Sequence, residues 1–187
     1  MLSKVKRLNR GASHPKFKAD EILQALSLKP GIILADIGSG GGYYAMRFAE
    51  AAGREGRIYA VDTNAESLAY IKNTAELNGM GNIKTVLADE KGLVLPEHSC
   101  DLIFLRNVFH HLTDAVEYFK KIKCFLRPDG RVVIIDYKKR IALNIYVLLG
   151  HYAEEKVIRK TMEDAGYRMI ERYDFLPEQS FTVYQAH

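Results

Sequence analysis

Residues 33–49 read Ile-Leu-Ala-Asp-Ile-Gly-Ser-Gly-Gly-Gly-Tyr-Tyr-Ala-Met-Arg-Phe-Ala. The apolar run Ile32 to Ala35 ends at Asp36 and a glycine cluster, which suits a buried strand feeding a tight loop. Tyr43 to Ala52 then carries Tyr44, Phe48 and Ala51 or Ala52 at helical spacing, and Gly53 and Gly56 end it. The unit is strand, glycine loop, helix. Gly38, Gly40, Gly41 and Gly42 let the loop turn sharply and let a ligand approach the backbone. A dinucleotide fingerprint GxGxxG fails, because its third glycine falls on Tyr43. A Walker loop fails because no Gly-Lys-Ser/Thr follows. A glycine loop without either phosphate signature suggests a ligand that lacks a phosphate chain.

The same alternation continues outward. Arg57 to Val61 forms a second strand closed by Asp62, and Asn64 caps a helix through Leu77 that Asn78-Gly79 stops. Ile83 to Ala88 is a third strand closed by Asp89, and Asp101 to Leu105 a fourth followed by Arg106-Asn107. Thr113 or Asp114 caps the next helix, with Val116, Phe119, Ile122 and Leu126 on its apolar face. Pro128-Asp129-Gly130 is a turn into a fifth strand, Arg131 to Ile135. Ala153 to Ala165 is a helix stopped by Gly166. Arg168 to Asp174 and Phe181 to Gln185 are two final strands too close for a crossover helix, so they pair antiparallel. Repeated strand–helix units imply an α/β protein, doubly wound, with a mostly parallel sheet and helices on both faces. Ligands of such sheets bind beyond the carboxyl ends of the strands. Asp36, Asp62, Asp89 and Arg106-Asn107 all sit there.

Composition narrows the class. The chain has 187 residues, 48% hydrophobic and 27% charged. It suits one globular domain over residues 1–187 rather than a disordered polyelectrolyte. Basic residues exceed acidic ones, 27 against 23, but residues 1–18 hold six of the bases and no acid. Without them the count is 21 against 23, so the excess is a basic segment on a slightly acidic domain. The longest apolar run, Ile141 to Leu149, is interrupted by Asn144 and falls short of the roughly 20 residues a membrane span needs. With no apolar signal core at the N-terminus, the reading is cytoplasmic. Cys100 and Cys124 show no CxxC spacing and read as free, mostly buried thiols. The six histidines form no HExxH, so no metal is expected.

The glycine stretch resembles the first motif of the class I S-adenosylmethionine-dependent methyltransferases, DxGxGxG, here Asp36, Gly38, Gly40 and Gly42. Ile58-Tyr59-Ala60-Val61-Asp62-Thr63-Asn64 resembles their second strand, and Val86-Leu87-Ala88-Asp89-Glu90 their third. The segment 101–112 resembles the fourth-strand motif, and 126–136 the fifth-strand segment. The match runs in order over roughly residues 20 to 187. It implies a Rossmann-like seven-stranded sheet in the order 3-2-1-4-5-7-6, with S-adenosyl-L-methionine as cofactor and S-adenosyl-L-homocysteine as product. It also implies roles. Asp62 accepts the ribose hydroxyls, with Thr63 beside it; Asp89 takes the adenine amino group, with Glu90 beside it. Asp36 faces the methionine ammonium. Gly38, Ser39 and Gly40, with Tyr43 after them, contact the cofactor closely, and Arg106 and Asn107 line its methionine end.

Methyl transfer from a sulfonium needs alignment more than acid–base chemistry. A base matters only where the acceptor must lose a proton. His110 and His111, after the fourth strand, are the catalytic candidates. The segment after the fourth strand, Leu105-Arg106-Asn107-Val108, lacks the Asp/Asn-Pro-Pro-Tyr/Phe associated with base amines. It resembles that of the ubiquinone/menaquinone C-methyltransferases. Residues 138–152 form a candidate substrate-covering insertion, small enough to favour a small-molecule acceptor, and the chain reads as a monomer or homodimer. The alternatives are an RNA methyltransferase gripping phosphates with its basic segment, a cofactor-binding regulator without turnover, and, more remotely, a nicotinamide dehydrogenase. Residues 1–18 also read as a cofactor lid, with His14, Pro15 and Phe17 inward and the lysines in water.

Overall fold

Parallel pairing organises the first half of the chain, and mixed pairing the second. The computed structural model describes residues 2–89, 92–139 and 150–187, with side chains from Val5 onward. Seven strands stand in the order β3-β2-β1-β4-β5-β7-β6, as the motif order implies. Two compact units divide at Leu95 and Pro96. Glu90 and most of the 138–152 insertion lie outside the described residues.

The first unit contains α1 (Leu2–Ala12), a 3-10 turn (Pro15–Phe17), α2 (Ala19–Leu26), β1 (Ile33–Ile37), α3 (Tyr43–Ala52), β2 (Arg57–Asp62), α4 (Ala65–Leu77) and β3 (Ile83–Leu87). β1 pairs in parallel with β2, from Ile33 opposite Arg57 to Ile37 opposite Val61. β2 pairs in parallel with β3, ending at Asp62 opposite Leu87. Leu34, Ala35, Ile58 and Ala60 are fully buried, as expected for strands covered on both faces. The Asn64 side chain accepts from the Ser67 amide at 2.9 Å and starts α4. Both N-terminal helices escape a reading tuned to strand–helix units. α1 turns Val5, Asn9 and Ala12 inward and leaves Lys6, Arg7 and Arg10 exposed.

The second unit contains β4 (Cys100–Arg106), a 3-10 turn (Phe109–His111), α5 (Ala115–Ile122), a 3-10 turn (Lys123–Phe125), β5 (Leu126–Tyr137), α6 (Glu155–Asp164), β6 (Tyr167–Tyr173) and β7 (Gln179–Ala186). β4 and β5 are parallel, and β5–β7 and β6–β7 are antiparallel. Asp114 caps α5 through the Glu117 amide. The helix stops at Ile122, and Leu126 opens β5 instead of continuing the helical face. The reason is the 3-10 turn, which buries Phe125 and delivers Leu126 opposite Cys100. The register then jumps to Leu102 opposite Arg131, so the turn expected at Pro128–Gly130 is instead an irregularity inside one strand that begins at Leu126 rather than Arg131. Cys100 is buried, but Cys124 is exposed, because that turn points its side chain outward. Among the described residues no helix is long and apolar enough to cross a membrane.

Candidate functional site

In the first unit the carboxyl ends of β1 and β2 carry the candidate residues. Asp36 is 4% exposed at the end of β1. The loop after it has positive φ at Gly38, Gly40 and Gly42, a region that costs a side-chain-bearing residue energy. The loop is tied to β2. The Gly38 and Ser39 amides donate to the Val61 carbonyl at 2.8 and 2.9 Å. The Gly40 amide donates to Asp62 Oδ2 at 2.8 Å, and the Asn64 amide donates to Asp62 Oδ1 at 2.9 Å. These loop amides are satisfied internally. What the loop offers a ligand is bare backbone surface and the remaining lone pairs of Asp62. Thr63 is exposed beside it.

Ser39 Oγ is buried and has no hydrogen-bond partner among the described residues. A buried hydroxyl of that kind usually has a partner, and a ligand seated on the loop would supply one. Tyr43 opens α3, half-buried, and its hydroxyl accepts from Arg47 Nη1 at 3.2 Å. Asp89 is exposed beyond β3, where its amide and carbonyl exchange hydrogen bonds with Gly92 at 3.2 and 2.9 Å.

Helix α1 meets the same loop. Asn9 Nδ2 donates to the Gly41 carbonyl at 2.8 Å. A Cβ on Gly41 would overlap Asn9 Oδ1 and stand 2.8 Å from the Val5 carbonyl oxygen. The Asn9 side chain can swing away; the helix backbone cannot. Gly41→Ala is therefore expected to lift α1 off the loop and to speed tryptic cleavage at Lys6, Arg7 and Arg10 severalfold. Gly81→Ala, with nothing near its Cβ, should leave cleavage unchanged. Equal protection in both variants would contradict the contact.

In the second unit Arg106 ends β4 and Asn107 follows in the left-handed region, φ +57. Asparagine tolerates that region better than most residues. Its amide donates to the Ile135 carbonyl at 2.8 Å. Gln179, fully buried at the start of β7, donates to Asn107 Oδ1 at 2.6 Å and accepts from Arg106 Nη2 at 3.3 Å. One glutamine thus sets two candidate side chains.

His110 lies on the short turn after Asn107, its side chain 4% exposed. Its Nδ1 stands 2.8 Å from Oδ1 of Asp136, which is fully buried on β5. The Asp136 carboxylate also accepts the His110 amide at 3.3 Å and the Tyr137 amide at 2.8 Å. His111 is exposed, and its ring lies tilted at 51° to that of His110, 4.1 Å between centroids. Its pKa falls below the ordinary histidine value, through burial first and then through the neighbouring histidines. His151, half-buried, brings Nδ1 to 3.3 Å from His110 Nε2.

Asp136, His151 and Gln179 were missed from the sequence. Asp136 had a signal: it ends an apolar strand run, as Asp36 and Asp62 do. His151 and Gln179 had none, because only the folded chain brings them to the end of β4.

A family model described as a methyltransferase domain matches residues 28–179. The ubiquinone/menaquinone biosynthesis C-methyltransferase of Hahella chejuensis is 27% identical over 113 residues, 60% of this chain and 45% of that protein. Its counterpart in a Marinomonas species is 26% identical over 133 residues, 71% and 53%. The chain spans about half the length of these curated relatives. A crystal structure of an S-adenosylmethionine-dependent methyltransferase from Aquifex aeolicus superposes with TM-score 0.88 at 25% identity, covering 97% of this chain and 96% of that one. Strand order, glycine loop and strand-end acids agree with a family match over most of the chain: it belongs to the class I S-adenosylmethionine-dependent methyltransferases.

Proposed function

We propose that this chain transfers a methyl group from S-adenosylmethionine to a nucleophile on a small molecule. The observation that carries the reading is the glycine loop locked to the Asp62 carboxylate beside a buried Ser39 hydroxyl with no hydrogen-bond partner among the described residues. When bound, the cofactor supplies a methyl carbon already activated by a sulfonium. The chain's residues bind and orient. Asp62 has lone pairs left for two ribose hydroxyls, Ser39 Oγ adds a donor or acceptor, and the buried Asp36 carboxylate suits an ammonium. Asp89 suits the adenine amino group. Arg106 and Asn107, held by Gln179, suit the methionine end. Orientation of this kind contributes most of the rate in a displacement that needs little acid–base help. His110, aimed by Asp136, is the base where an acceptor must lose a proton. The relatives' printed names favour a quinone-type ring as the acceptor class, and the small domain fits a small molecule.

Residues 1–18 act as a cofactor lid in this reading through α1, which rests on the loop through Asn9; of the three residues expected inward only Phe17 is buried, while His14 and Pro15 are exposed. Calorimetric titration with S-adenosylhomocysteine tests it. The full chain should bind one equivalent, and removal of residues 1–18 should weaken binding about tenfold or more. Turnover is then measured with phenolic and quinol acceptors. Cofactor binding unaffected by the truncation, together with RNA binding that falls steeply with salt, would replace the lid with an RNA-gripping segment. No cofactor binding at all would overturn the proposal.

A further inference from the structure

Three imidazoles converge in the second unit from positions that no sequence motif links. One nitrogen from each of His110, His111 and His151 lies within 4.8 Å of the other two. The first two come from the turn after β4, and the third from the far side of β5, 40 residues on. We propose that His110, His111 and His151 form a binding site for a divalent transition metal of the zinc type, with Asp136 fixing His110 from behind.

Asp136 sets the tautomer of His110. Its buried carboxylate takes the Nδ1–H of His110 at 2.8 Å. That tautomer leaves His110 Nε2 with a lone pair, aimed at His151 Nδ1 3.3 Å away. Two imidazole nitrogens facing each other need a proton or a cation between them. A shared proton would use only these two rings. A metal ion uses the third as well, and His111 is there.

The spacing fits. Zinc–nitrogen bonds of ~2.05 Å place two tetrahedral ligands about 3.3 Å apart, the separation seen between His110 and His151. His111 has further to come, and its exposed side chain has the room. A carboxylate behind a ligating histidine is the usual outer partner, because it fixes the tautomer and raises the basicity of the ligating nitrogen. Neutral imidazoles without a carboxylate in the inner set suit zinc, copper, nickel or iron better than magnesium or calcium. Three protein ligands leave a fourth position for water or an oxygen or sulfur donor. On the methyl-transfer reading, that position would receive the heteroatom of a small-molecule acceptor.

The test uses untagged, chelator-treated full-length protein titrated with cobalt(II), then zinc. One equivalent of cobalt should bind with the intense visible bands of a tetrahedral site, and zinc should bleach them. His111→Ala, at an exposed position, and His151→Ala should each weaken zinc binding at least ~10-fold, and Asp136→Asn should weaken it ~10–100-fold. S-adenosylhomocysteine binding of the same samples, read by calorimetry, reports the fold and the cofactor site separately. Wild-type protein that binds cofactor but no cobalt at micromolar levels would overturn the metal site and leave the methyl-transfer reading standing. Metal binding unchanged in all three variants would overturn it equally.

Discussion

Asp62→Ala is expected to lower affinity for S-adenosylhomocysteine by at least about a hundredfold. The carboxylate serves two purposes at once. Its Oδ2 and Oδ1 accept from the Gly40 and Asn64 amides at 2.8 and 2.9 Å, which fixes the loop against β2 and the start of α4. An ionised carboxylate has about four lone-pair sites, so two remain for ligand hydroxyls. Each hydrogen bond to a charged acceptor contributes about 1.5–3 kcal/mol. Losing two to the ligand removes roughly 3–6 kcal/mol, or about 10²–10⁴ in affinity. Alanine also frees the Gly40 amide and loosens the loop, which adds to the loss. Asp62→Asn separates the parts. Its single oxygen can hold one amide, while its NH₂ faces the other, so binding should fall by an intermediate factor. Affinity of Asp62→Ala within about threefold of wild type, by calorimetry, would remove Asp62 from the cofactor site.

The central fold was legible because parallel strands are buried on both faces and so write themselves as apolar runs ending in a polar residue. Ile33–Ile37, Arg57–Asp62 and Cys100–Arg106 are such runs, and both side-chain caps expected at helix starts, Asn64 and Asp114, are in place. The failures are local. Leu126 fits a helical period as well as a strand start, and only its pairing opposite Cys100 decides between them. α1 was illegible because four basic residues dominate its composition, while its contact to the loop rests on one asparagine.

The candidate site divides the same way. Its sequence-local part, the glycine loop and the strand-end acids, could be read because chain order puts every such residue after a strand. Asp136 obeyed the same rule and was passed over, since the fifth-strand motif carried no role in the resemblance. His151 and Gln179 follow no local pattern. Gln179 arrives through antiparallel pairing opposite Tyr137, a register that apolar alternation in β7 does not reveal. Polar residues recruited over 40 or 70 positions are where reading a chain from periodicity stops.

Asp136→Ala is expected to destabilise the chain by about 3–5 kcal/mol, the lower part of what three orphaned buried donors cost together. The side chain is fully buried, and three donors converge on it: His110 Nδ1 and the amides of His110 and Tyr137. Alanine brings no acceptor, and the space it leaves is too enclosed for the bulk solvent to replace one. Each orphaned buried donor costs about 1–3 kcal/mol. For a chain of this size 1 kcal/mol corresponds to about 2–4 °C, so Tm should fall by about 10 °C. Asp136→Asn keeps one oxygen, which can serve either the Tyr137 amide or the His110 amide while its NH₂ confronts the other, and should lose roughly half as much. The order alanine below asparagine below wild type is what donor satisfaction requires. A simple cavity effect would put asparagine, nearly the same shape, level with wild type. An alanine variant melting within about 2 °C of wild type would mean that the buried carboxylate contributes little to stability, and that its place behind His110 serves the site alone.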